Sequence, residues 1–341
     1  MASFRMWQPV VAAQDDRSFW LQDVGARPVT QPIEGHETAD VAIVGGGYTG
    51  LWTALRLKQQ APELHVTVLE ADICGSGASG RNGGQVHTWF AEIDLLARVV
   101  GTEEAARLCG DTAAAIDELE ALQTSGAIDM DLRLDGWLWT ASSAAQEGAW
   151  DNAVALAKSV GEDRFAALTA DEIVARTGSG ASYTGVAEAR AGTVHPAKLA
   201  LGLRDLALAR GVVIHEQSPV TEILPGTSCI LRTPRGTLRA GRVVLAANAW
   251  LSALPELRRY LYVVESQVIA TEPVPETLDR IGWRGGDSTC DSQAQVLYSQ
   301  PPVGGRIVSG RGSGGGASGV RFGCGFHRIP EPGGRHRGER R

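Results

Sequence analysis

The stretch ADVAIVGGGYTGLWTALRLKQQ, Ala39 to Gln60, limits the folds open to this chain more than any other. An apolar run, Asp40 to Val44, reads as a buried parallel strand. Gly45, Gly47 and Gly50 then fall in the spacing GxGxxG. Gly45 lets the chain turn out of the strand, Gly47 lets backbone approach a pyrophosphate, and Gly50 lets a helix pack close to the sheet. That helix, predicted over Tyr48–Gln60, turns its positive end and unpaired N–H groups of Tyr48 and Thr49 toward a phosphate. A second strand, Val66 to Leu69, ends at Glu70, about 20 residues past Gly50, where an acid binds ribose hydroxyls. A lone GxGxxG is weak evidence and also fits a ligand-free glycine turn. Strand, glycines, helix, strand and acid in order describe a dinucleotide cradle.

Residues 74–85, CGSGASGRNGGQ, bear on which dinucleotide. A nicotinamide domain has no evident use for so long a loop of small residues after the second strand. A cofactor whose pyrophosphate and ribityl chain run past the first helix does. Gly77 and Ala78 permit close approach, Ser76 and Ser79 offer hydroxyls, and Arg81 offers a cation for phosphate. Asn82, Gly83 and Gly84 would lie beside a flavin ring. The competing reading is a flexible linker of small residues.

VAIVGGGYTGLWTALRL, VLEAD and GSGASGRNGGQ together resemble the FAD-dependent oxidoreductases of the D-amino-acid-oxidase and glycine-oxidase superfamily, in its gamma-glutamylputrescine-oxidase-like branch. SFWLQD at 18–23, the 192–223 segment, GRVVLAANAW and VVESQVIATEP extend the resemblance from about Ser18 to about Gly315. It implies an α/β fold: a Rossmann-like FAD-binding domain with an inserted α+β substrate domain. It adds Ala71 to the cradle, puts the Val220 backbone at the adenine, and sets Ala247 against the cofactor. The implied reaction is oxidation of a small-molecule amine or amino acid by hydride transfer to flavin. The imine is then hydrolysed, and O₂ or another acceptor reoxidises the flavin. It also implies a further C-terminal segment, on the order of a hundred residues, which the sequence does not show. A truncated or frameshifted member that binds FAD weakly or is inactive, a short form completed by a partner chain, and an NAD-dependent dehydrogenase stay open as alternatives.

The division expected is an N-terminal arm and FAD-binding part over 1–130, substrate domain over 131–190, FAD-binding part over 191–255 and substrate domain over 256–318. A disordered tail, rich in glycine and arginine, is expected over 319–341. Helices are expected over 92–125, 144–160, from Thr169 and from Pro196. Strands are expected over 131–142, 243–247 (in a further hairpin), in YVVESQVIATEP, and in a hairpin over 294–312. Net charge of −7 argues against nucleic acid, and no apolar run approaches the roughly 20 residues of a membrane span. With five scattered cysteines, no CxxC and no evident leader, the reading is cytoplasmic. No metal-ligand spacing occurs, and nothing fixes an oligomeric state.

Catalytic side chains are less legible. His87 follows the glycine loop and is a candidate to face the flavin, or else a packing histidine. Tyr298 and Arg311 lie on the 294–312 hairpin; Arg311 is a candidate for a substrate carboxylate or a solvated arginine. His195 reads as shaping a helix entrance, and Trp137 and Trp139 as core.

Overall fold

The computed structural model describes residues 4–6, 17–293 and 296–316, so the expectation for residues 319–341 lies outside the described residues. The chain builds two seven-stranded sheets, and their strands interleave in sequence. The first sheet runs Phe4–Arg5, Glu222–Leu224, Cys229–Arg232, Gly236–Leu245, Gly35–Val44, Val66–Leu69, Val213–His215. Its last four strands are mutually parallel; Glu222–Leu224, Cys229–Arg232 and Gly236–Leu245 form an antiparallel meander, and Phe4–Arg5 adds antiparallel at its edge.

The parallel half is the doubly wound pattern. From Gly35–Val44 the chain crosses through helix Tyr48–Gln60 to Val66–Leu69 on one side. Gly236–Leu245 pairs on the other side, from Gly236↔Gly35 to Leu245↔Val44. The order therefore reverses at the carboxyl ends of Val44 and Leu245, where open α/β sheets bind ligands. Leu51, Ala54 and Leu55 of the helix are buried against Val41, Ile43, Val66 and Val68 of the sheet and Leu199 and Leu203 of helix Pro196–Ala209. Each such fully buried leucine contributes about 1.5–3 kcal/mol.

The second sheet runs Val264–Ala270, Val308–Gly316, Leu297–Gln300, Ser288–Asp291, Trp137–Thr140, Thr184–Glu188, Phe165–Thr169. Only Ser288–Asp291 and Trp137–Thr140 pair in parallel. A two-stranded ribbon, Gln85–Val86 with Gly192–Thr193, is hydrogen-bonded apart from both sheets.

The structure moves several expected boundaries. The first strand begins at Gly35, five residues before the apolar run, because its pairing with 236–245 continues into polar sequence. Helix 92–125 divides into Ile93–Val100 and Thr102–Thr124 at Gly101, whose φ of +85° no helix accommodates. The expected strand over 131–142 shortens to Trp137–Thr140, and the helix of 144–160 begins only at Asp151. Residues 236–245 form one continuous strand rather than a hairpin; the hairpin lies between it and Cys229–Arg232. Its carboxyl end, expected as a buried strand over 243–247, is half-buried and stops at Leu245. No helix among the described residues is long and apolar enough to cross a membrane.

Candidate active site

The glycine turn is built by collision. At φ +109°, Gly45 sits where a Cβ would lie 2.6 Å from the Ala246 carbonyl oxygen. A Cβ at Gly50 would strike the Gly45 carbonyl oxygen, so helix and turn meet backbone to backbone. Gly47 is the helix N-cap and supplies no side chain, leaving the positive helix end uncapped by any residue of its own. Ser79 Oγ accepts the Tyr48 N–H at 2.9 Å, and Thr49 stands exposed in the first turn. The Tyr48 hydroxyl donates to the Pro196 carbonyl at 2.9 Å.

Glu70 closes the cradle. Its Oε2 accepts the Gly46 N–H at 2.6 Å and its Oε1 the Asp72 N–H at 3.0 Å. Burial pushes its carboxyl up to about 7, and the nearby Asp72 and Glu216 carboxylates push the same way. Ala71 lies between two carbonyls that tie this turn to the neighbouring segment: Ser218 N–H donates to Glu70 O and Gln217 N–H to Asp72 O, both at 2.7 Å. Val220 is buried with Val44 and Leu69 at the foot of that segment. Ala247 caps the 3₁₀ turn Asn248–Ala253 and abuts Gly45.

The glycine-rich loop folds around a short turn, Ala78–Gly80. Arg81 Nε donates to the Ser76 and Gly77 carbonyls, both at 3.1 Å, so this guanidinium braces its own loop. Asn82 Nδ2 donates to Ser79 O at 2.9 Å, and its Oδ1 accepts the Gly84 N–H at 2.9 Å. A Cβ at Gly77 would come within 3.5 Å of the Trp250 ring. At Gly83 it would collide with the Tyr298 ring.

The structure thus brings Tyr298 to the loop. Register places Trp139, Cys290, Tyr298 and Gly310 in one row across four strands, hence on one face of the second sheet. Burial raises the Tyr298 phenol above its ordinary value and pushes the Cys290 thiol up to about 12, so both keep their protons at neutral pH. His87 stacks on Trp137 with ring centres 4.6 Å apart, and Trp137 meets Trp139 at 5.8 Å. Burial lowers the His87 pKa, so it stands there as a neutral ring. Trp137 is core as expected, whereas Trp139 is part-exposed beside Cys290. Arg311 pairs with Leu297, one residue out of step with Tyr298, and so belongs to the opposite face. Its guanidinium contacts Gln293 Oε1 at 3.4 Å.

His195 is the N-cap of helix Pro196–Ala209; its Nδ1 accepts the Lys198 N–H at 3.2 Å. Sequence reasoning missed three further groups. Arg17 makes a two-bond ion pair with Asp72, at 2.9 and 3.0 Å. The buried Glu216 accepts from Cys74 N–H at 2.7 Å, Thr30 N–H at 2.8 Å and Arg204 at 3.1 Å. Gln300 reaches the Gly83 carbonyl. No local pattern marks these residues, because each partner is remote in sequence.

A Rossmann-type sheet with glycine cradle and terminal acid defines a dinucleotide-binding oxidoreductase fold. The donor set fits FAD: a helix end whose N-cap, Gly47, has no side chain and whose first N–H meets the Ser79 hydroxyl for pyrophosphate, Glu70 for ribose, and a backbone-lined loop for the rest. Residues 40–331 match the model of the DAO family, FAD dependent oxidoreductase. The chain belongs to this family of FAD-dependent enzymes, which decides for FAD over a nicotinamide cofactor. It is 32% identical over 303 residues to a probable oxidoreductase OrdL of Rhizobium meliloti (strain 1021), covering 86% of this chain and 68% of that one. It is 34% identical over 247 residues to the gamma-glutamylputrescine oxidoreductase of Escherichia coli (strain K12), covering 71% of this chain and 57% of that protein. Among solved structures, glycine oxidase from Geobacillus kaustophilus superposes with a TM-score of 0.58 at 22% identity, covering 81% of this chain and 71% of its own. L-amino acid deaminase from Proteus vulgaris, with its specific insertion deleted, gives 0.63 at 16%, covering 82% and 70%. These two likenesses carry the fold.

Proposed function

We propose that the chain oxidises a small-molecule amine or amino acid with FAD. The observation that carries this is the contact between the two sheets: the glycine loop that continues the dinucleotide cradle runs directly against Tyr298 of the second sheet. The names of the relatives, a gamma-glutamylputrescine oxidoreductase, a glycine oxidase and an amino acid deaminase, support a C–N bond as the site of oxidation. We also propose the division 1–130 and 191–255 for cofactor and 131–190 and 256–318 for substrate, in line with the interleaved strands.

Bound FAD would supply the redox chemistry, accepting hydride from the substrate carbon next to nitrogen; the imine would hydrolyse in water, and O₂ or another acceptor would take the electrons. The protein supplies position. Gly45, Gly47, Tyr48, Thr49 and Gly50 would hold the pyrophosphate, and Glu70 and Ala71 the ribose. Val220 would lie at the adenine, Ala247 at the sheet's switch point, and Ser76 through Gly84 along the rest. The Tyr298 ring edge faces the loop, while its hydroxyl, still protonated, sits at Gly310 beside Ser266. The neutral His87 ring stacked on Trp137, with Trp139 beyond it, would border the substrate, which suits an amine that binds uncharged and needs no strong base.

The test is anaerobic mixing of FAD-loaded protein with a panel of amines, amino acids, hydroxy acids and alcohols. Bleaching of flavin absorption by an amine or amino acid is expected. Bleaching by hydroxy acids or alcohols alone would overturn the amine reading, and no visible flavin after FAD addition would overturn the whole assignment.

A further inference from the structure

The strand Leu297–Gln300 belongs to the second sheet, yet two of its side chains end on the cofactor loop. The Tyr298 ring occupies the space a Cβ would need at Gly83 and at Gly310. Gln300 is fully buried, and its Nε2 donates to the Gly83 carbonyl. The same nitrogen stands 2.5 Å from where a Gly84 Cβ would lie. Gly84, at φ +70°, is held from its other sides as well. Its N–H donates to Asn82 Oδ1 at 2.9 Å and its carbonyl accepts the Val194 N–H at 2.8 Å.

Only the NH₂ end of an amide can face a carbonyl, which fixes the Gln300 orientation. Its Oε1 is then left buried with no donor among the described residues. A buried acceptor without a partner opposes folding. Packing alone would be served better by leucine, which fills similar space without that cost. The Nε2 bond to Gly83 is what the amide adds.

We propose that Gln300 is a positioning residue for the cofactor loop: it latches the Gly83 carbonyl and so sets the loop's place from the second sheet. This rests on the FAD reading above. Because strand and loop are joined at Gly83, any ordering of the loop by cofactor is passed to the strand that carries Tyr298.

The test compares wild type with Gln300→Leu. Hydrogen exchange in FAD-free protein reads the latch directly: the variant should exchange faster over residues 83–86. FAD titrated into the stripped proteins should bind roughly tenfold more weakly to the variant, the loss of about one hydrogen bond. A folded variant with wild-type exchange over 83–86 and wild-type FAD affinity overturns the proposal. If the variant does not fold, wild type decides: FAD should slow exchange over 297–300 together with 83–86. Protection over 45–50 and 76–84 that leaves 297–300 unchanged overturns the latch. Absence of any protection over 45–50 tells against FAD binding itself, and Gln300 is then judged by FAD-free exchange of the milder Gln300→Met, where wild-type exchange over 83–86 overturns the latch.

Discussion

Glu70 is where position and protonation meet. Its place at the end of the second strand was legible in sequence, since the acid follows the glycines by the required distance. Its environment was not: besides Asp72 of its own turn, the Gly46 N–H and the Glu216 carboxylate come from separate segments. A carboxyl raised from 4.5 to about 7 keeps its proton in the folded chain after the unfolded chain has lost it. Folded protein then binds more protons than unfolded, so stability falls as pH rises across that window. The loss is on the order of 3 kcal/mol and is complete above the folded pKa. Denaturant unfolding of FAD-free protein from pH 4.5 to 8 should show this slope, and Glu70→Gln should flatten it. Ribose hydroxyls donating to the carboxylate would favour its ionised form. FAD uptake between about pH 5 and 7 should therefore release a proton. Calorimetry in buffers of different ionisation enthalpy measures this, and a buffer-independent heat would remove Glu70 from the ribose site.

At the scale of elements, the best-read segments are those whose signals are local. Helix Tyr48–Gln60 and strand Val66–Leu69 fall where the apolar spacing and glycines put them. So does the helix after Thr169, whose Oγ1 accepts the Glu172 N–H while the Glu172 carboxylate accepts the Thr169 N–H. Thr169→Ala removes half of that box and should cost about 1 kcal/mol, read as a shift in denaturation midpoint without loss of FAD. The less legible elements depend on remote partners: the polar half of strand Gly35–Val44 exists because 236–245 pairs with it. Gly47→Val belongs to this scale too. A side chain there lies at the mouth of the helix end, within 2.9 Å of Ser79 Oγ at its Cβ alone. The variant should fold, since Gly47 has no positive φ to preserve, and should lose FAD on desalting. Wild-type flavin content in the folded variant would place the pyrophosphate elsewhere.

Over the whole molecule, the sequence said little about how remote pieces come together on the cofactor loop. The SFWLQD segment carried a resemblance and no evident purpose. In the structure it becomes helix Phe19–Asp23, capped by Ser18, and it staples the loop. Ser18 Oγ donates to Gly80 O at 2.5 Å, the buried Trp20 donates its Nε1–H to Asn82 O at 2.9 Å, and Arg17 grips Asp72 beyond the cradle's acid. The same arm continues to Thr30, whose N–H reaches Glu216 beneath Cys74. From the second sheet Tyr298 and Gln300 press on Gly83 and Gly84. The loop is thus fixed by its surroundings more than by its own glycine-rich sequence, which would otherwise sample many conformations. Trp20→Phe keeps an aromatic ring at this buried position beside His195 but removes the five-membered half of the indole together with the donor to the Asn82 carbonyl. A carbonyl left without that donor costs about 1–3 kcal/mol, and here the cost falls on the loop. The variant should fold, should be cut faster by protease within residues 76–84, and should retain less FAD after gel filtration. Trp20 donates to the Asn82 carbonyl and Gln300 to the Gly83 carbonyl, two separate holds on the loop, so combining Trp20→Phe with Gln300→Leu should loosen it by more than either change alone. Full FAD loading and wild-type protease resistance in Trp20→Phe would show that the loop holds its shape without the arm.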